Sequence, residues 1–153
     1  MLRETEKSAA VPYNHPEGIK GAQCVALALF RAGQAWDKEA IKRETEERFC
    51  YDLSRSLGDI RPGYGFDVTC QGSVPEALIA FLEAEDFEDT LRNAISLGGD
   101  SDTQACIAGA VAEAFFGGIP ASLCEAVFRN LDAFQTDILE RFLQQTQGKA
   151  RPC

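Results

Sequence analysis

Ala105 to Phe116 is an almost unbroken run of small apolar residues, with Glu113 its one charge. It is too long for an ordinary strand and predicts a helix covered by protein on most sides. The run is opened by Gly98-Gly99-Asp100-Ser101-Asp102-Thr103. Two glycines break the chain, and two carboxylates and a hydroxyl start the new helix. A start drawn inside by its own apolar body would bury two carboxylates, and a buried charge is very costly without a partner. The rest of the sequence has to say what that partner is.

The totals bound the answer. With 153 residues the chain is one domain by length, and 45% apolar residues suffice for a core. A net charge of -9, from 15 basic and 24 acidic side chains, argues against nucleic acid and anionic membrane as partners. The apolar run at 105–116 is too short to span a bilayer. No positive start precedes an apolar core, so no signal peptide is expected. Cysteines stand at 24, 50, 70, 106, 124 and 153, without a Cys-x-x-Cys pair and with one histidine in the chain. Buried free thiols in a reducing, cytoplasmic setting are the expectation. Cys153 lacks a prenylation context.

No stretch alternates in hydrophobicity, so the fold class is all-α. Residues 1–10 read as a flexible polar N-terminus, 11–147 as the domain and 148–153 as a tail. Helices are expected over 19–32, 38–50, from Ser73, over 87–97, 101–116, from Pro120 to about 131, and over 132–146. Asp37 and Asp86 are caps. Ser73 with Glu76 reads as a capping box, with Pro75 in the first turn. Residues 51–69 read as a structured loop with one short helical turn. The acids at 83–89 read as a solvated helix junction, Trp36 as a packing anchor, and Phe115, Phe116 and Phe142 as core.

Two readings of the acidic stretch stand side by side. In one, Asp100 is a helix cap and Asp102 a first-turn acid favoured by the helix dipole. In the other, Asp100, Asp102 and Thr103 offer hard oxygens to Mg²⁺ or Mn²⁺. Gly98 and Gly99 then remove side-chain bulk, so that a phosphate or sugar can approach the backbone.

A family resemblance bears on the choice. Asn93-Ala94-Ile95-Ser96-Leu97-Gly98-Gly99-Asp100-Ser101-Asp102-Thr103, Ile107-Ala108-Gly109-Ala110 and Gly118-Ile119-Pro120 resemble the C-terminal signature of the ADP-ribosylglycohydrolases. His15-Pro16-Glu17-Gly18 and Gly72-Ser73-Val74-Pro75-Glu76-Ala77 extend the resemblance, which covers residues 13–131. It implies an all-α domain, a binuclear Mg²⁺ or Mn²⁺ site, and hydrolysis of the bond joining ADP-ribose to a protein side chain or small acceptor. Residue by residue, it implies Asp100, Asp102 and Thr103 as metal ligands, and Gly98, Gly99 and Ser101 beside the ribose. It also implies His15, Cys70 and Gln71 along the substrate cleft, although the family often has an aromatic where Cys70 stands.

The family's second acidic cluster, Thr-Asp-Asp, has no match in this sequence. The resemblance is therefore read as the C-terminal half only, supplying one side of the metal site. Two functions follow as expectations. One is metal-dependent hydrolysis of an ADP-ribosylated protein or small conjugate. The other is a non-catalytic ADP-ribose-binding module, a homo-oligomer, or a half-domain completed by another chain.

Overall fold

The computed structural model describes residues 1–12 and 14–147, with the side chains of Thr146 and Gln147 left aside. Every regular element among them is helical. In order these are α1 (Leu2–Ala10), α2 (Pro16–Ala32), α3 (Lys38–Phe49), α4 (Leu57–Ile60), α5 (Cys70–Glu83), α6 (Phe87–Ser96), α7 (Ser101–Phe116), α8 (Ala121–Phe128) and α9 (Ala133–Gln147). They divide into two compact units, Met1–Gly118 and Ile119–Cys153.

The first unit is built around α5. Every residue from Ser73 to Phe81 is buried, so this helix is covered all round. Helices α2, α4, α6 and α7 pack on it, α3 packs on α2, and α1 lies against α2. The expectation that the helix at 101–116 is the hidden one is thus corrected. Helix α7 buries Gln104, Ala108, Gly109, Val111 and Ala112 but exposes Asp102, Thr103, Cys106 and Glu113 along one stripe. The large side chains explain the difference. Leu78, Ile79 and Phe81 of α5 fill space on several sides, and each stabilises by about 1.5–3 kcal/mol when fully buried. The Ala and Gly of α7 instead permit close approach on one face: a Cβ at Gly109 would stand 3.0 Å from Leu91 Cδ2 of α6.

Several local expectations are corrected. Residues 1–10, read as flexible, include helix α1. Helix α5 starts at Cys70 rather than Ser73, because Thr69 accepts a hydrogen bond from the Gly72 amide and caps it. The Ser73–Glu76 capping box is not formed. Ser73 donates to the Asp67 carbonyl, and Glu76 pairs with Arg55 at 2.8 Å, the partner its burial demands. Pro75 then lies inside the helix. Asp37 and Asp86 do cap α3 and α6. Several of the acids at 83–89 have partners: Glu83 accepts from the Leu57 amide across the fold, Asp86 accepts from the Asp89 amide, and Glu88 pairs with Arg92.

Lys38 closes the far end of α5 by donating to the Leu82 and Ala84 carbonyls under the ring of Phe81. Burial holds its pKa below the ordinary lysine value. Trp36 packs under the Arg31 guanidinium at 4.1 Å. The thiols described are free, yet only Cys24 is buried; Cys50 and Cys106 are exposed, and Cys153 lies outside the described residues. Phe115 and Phe116 are half-buried and meet edge to face at 5.1 Å.

The second unit is a pair of helices, α8 and α9. Pro120 stands at the N-cap of α8, which ends at Phe128, short of the expected 131. Phe142 on α9 is 60% exposed, against the expectation of a core residue. No helix among the described residues is long and apolar enough to cross a membrane.

Candidate functional site

The acidic cap is made by local backbone geometry. Helix α6 ends at Ser96, and Gly98 and Gly99 follow with φ of +74° and +63°. These left-handed values turn the chain into α7 and are costly for residues with a side chain. Asp100 occupies the N-cap position with φ -83° and ψ 64°, but its carboxylate makes no capping bond. It lies within hydrogen-bonding reach of the Asp102 carboxyl instead. Asp102 also accepts from the Thr103 amide at 3.0 Å. The bond with Asp100, then those with backbone amides, hold the Asp102 carboxyl below the usual carboxylate range.

One expectation about this cap is corrected. It is not inside the protein: Asp102 and Thr103 are exposed, and Asp100 and Ser101 are half-buried. Desolvation therefore does not demand a counter-ion here. What remains is the approach of two carboxyl groups that no cap bond explains. Gly99 is tight against protein on its Cβ side. A Cβ there would stand 2.6 Å from the Gly65 carbonyl oxygen and 3.3 Å from Phe66 Cα. Protein backbone fills that space, while Gly98 has nothing within 4 Å of its own Cβ position.

The other expected substrate residues gather elsewhere. A cleft of about 640 Å³ is lined by His15, Cys70 and Gln71, with Pro12, Gly18, Val68 and Thr69 among its other walls. His15 is also the N-cap of α2, its Nδ1 accepting from the Glu17 amide at 3.3 Å. Cys70 serves packing as well, since a Cβ at Gly21 of α2 would meet its Cβ at 2.9 Å. Residues 98–103 do not line this cleft.

One segment borders both places, and sequence reasoning missed it. Within residues 64–69, Gly65 and Phe66 lie against Gly99, and Val68 and Thr69 stand on the cleft wall. Asp67 holds the turn: Oδ1 accepts from the Thr69 amide at 2.7 Å, and a Cβ at Gly72 would collide with its carboxylate. That bonding keeps the Asp67 carboxyl below the usual range. The Tyr64 hydroxyl accepts from Gln104 Nε2 at 2.5 Å and donates to the Gly72 carbonyl at 2.9 Å. The available signal was Gln104, a polar residue at an interior position of an apolar helix.

Taken chemically, the cap offers oxygens only: two adjacent carboxylates and the Thr103 hydroxyl. This donor set suits a hard divalent cation and fits part of its coordination shell. Among the described residues, no group of three or more His, Cys, Asp or Glu side chains is placed to hold a metal ion. The cap is thus at most a partial shell.

The first unit is an all-α domain that carries a glycine-turned acidic helix cap. The ADP-ribosylglycohydrolase family model matches residues 1–151, and the chain belongs to that family. A protein of Archaeoglobus fulgidus, described as uncharacterized, is 28% identical, over 71% of this chain and 40% of its own. A solved structure described as an ADP-ribosylglycohydrolase-related protein complex superposes with a TM-score of 0.63 at 28% identity, covering 78% of this chain and 45% of that one. The chain thus spans less than half the length of these relatives. The family match spans residues 1–151, beyond 13–131, and does not support restricting the resemblance to a C-terminal half.

Proposed function

We propose that this chain contributes to an ADP-ribosylglycohydrolase site that cleaves the glycosidic bond between ADP-ribose and a protein side chain or small acceptor. Family membership supports the glycohydrolase class. The observation that carries the site is Asp100, which stands at a cap position without capping and faces Asp102. In this reading Asp100, Asp102 and the Thr103 hydroxyl hold Mg²⁺ or Mn²⁺. When bound, the cation supplies positive charge for the ribose hydroxyls and for the water that attacks. Gly98 and Ser101 present backbone and hydroxyl beside the ribose. His15, Cys70 and Gln71 line the approach for the rest of the conjugate. Water adds to the anomeric carbon as the bond to the acceptor breaks, and the acceptor leaves with a proton.

The test is release of ADP-ribose from ADP-ribosylated peptides with and without Mn²⁺. Loss of release in both Asp100→Ala and Asp102→Ala supports the reading, and full activity in both overturns it. The absence of a third clustered acid among the described residues favours a second reading, a module that binds ADP-ribose without turnover. Binding with no release, at any metal concentration, would select it.

A further inference from the structure

We propose that Tyr64 is a positioning residue that, through Gln104, sets the acidic cap of α7 against the cleft at the start of α5. The inference rests on the reading of those two places as one site. Gln104 lies one helical turn after Asp100, its amide bonded to the Asp100 carbonyl at 3.1 Å. Gly72 lies in the first turn of α5, beside Cys70 and Gln71 on the cleft. A single hydroxyl, accepting from Gln104 and donating to the Gly72 carbonyl, therefore ties the first turns of both helices. One residue further on, the Gly65 carbonyl packs closely against Gly99. The loop thus holds the cap at two points.

The burial of Gln104 argues for direction rather than stability. Its side chain is fully buried, and its Oε1 is buried with no hydrogen-bond partner. The buried positions that follow on α7 are Ala108, Gly109, Val111 and Ala112. An apolar side chain at 104 would fill the same stripe without leaving an acceptor unpaired, which is a destabilising feature. What the amide adds is one directed bond to Tyr64. The phenol stays protonated across the neutral range, because burial, then Glu76 and Asp67, raise its pKa above the ordinary tyrosine value. It can therefore donate to Gly72 and accept from Gln104 at once.

The experiment compares wild type with Gln104→Leu and Tyr64→Phe, by denaturant unfolding, amide hydrogen exchange and Mn²⁺ titration in the presence of ADP-ribose. The unfolding midpoint of Gln104→Leu is expected to hold or rise. Amide exchange at Gln104 and Ser73, whose amides bond to the Asp100 and Thr69 carbonyls, is expected to quicken roughly tenfold in both variants, beyond any change elsewhere. Mn²⁺ affinity is expected to fall in both. Unchanged exchange in the two turns, or a rise that merely tracks lost global stability, would overturn the positioning role. A wild type that binds neither Mn²⁺ nor ADP-ribose would instead sink the functional reading, while the exchange result still decides the coupling.

Discussion

The Gly65 carbonyl oxygen abuts the backbone of Gly99, so closely that a Cβ there would lie 2.6 Å away. The turn that presents the acidic cap is thereby fixed by a loop more than thirty residues earlier in the chain. The consequences separate the two glycines.

Gly98→Ala meets no atom within 4 Å and bears only its positive φ, which costs about 1–2 kcal/mol. Gly99→Ala bears a similar strain and must also displace backbone, so it should cost about 2 kcal/mol or more. Urea unfolding of the two variants measures the difference. Equal losses would mean that the Gly65 contact is not what Gly99 serves.

At the centre of the first unit, Phe81 is fully buried and meets Phe115 edge to face at 5.2 Å. Phe81→Ala is expected to lose about 3–5 kcal/mol by the same measurement. Val111→Ala, on the opposing helix, should lose less because it removes less volume.

Glu44 is gripped by Arg31, with Nε to Oε2 at 2.7 Å and Nη2 to Oε1 at 2.9 Å. That hydrogen bonding, with the charges of Arg31 and Arg48, holds its carboxyl below the ordinary 4.5. A depressed folded pKa gives stability that is complete above the unfolded value and is lost as pH falls through the folded one. Glu44→Gln should therefore flatten the acid side of the stability–pH curve below about pH 5. An acid limb as steep as that of wild type would assign the loss to other carboxylates.

Cys24 lies at 0% exposure, and burial pushes its thiol up to about 12. Exposed Cys50 and Cys106 have no such shelter. With iodoacetamide near pH 8, peptide mass spectrometry should find Cys50 and Cys106 modified well before Cys24. Comparable labelling of Cys24 would show that α2 opens readily.

Much of the helical order was readable from spacing and caps, because Asp37 and Asp86 act within one turn of their own chain. The start of α5 was not, because two cap candidates stand four residues apart, at Thr69 and Ser73. Glu76, needed for the second, goes to Arg55, and no local pattern reveals that pairing. The Gly98–Thr103 turn was readable as a break followed by acids. Its exposure was not, since an apolar helix body does not say which stripe faces water. The supporting loop was illegible for the same kind of reason: Gly65 meets Gly99, and Tyr64 meets Gln104, only once the chain has folded.

In the proposed function, Asp100 and Asp102 act together on a hard cation beside ADP-ribose. Calorimetric titration of Mn²⁺ in the presence of ADP-ribose, on wild type and Asp100→Asn, tests this most directly. Asp100→Asn removes a carboxylate that forms no cap bond, so the fold should be retained. Wild type is expected to bind, and the variant to bind at least about tenfold more weakly, the loss known for residues that merely orient a ligand. Equal Mn²⁺ affinity in the two folded proteins would contradict the account.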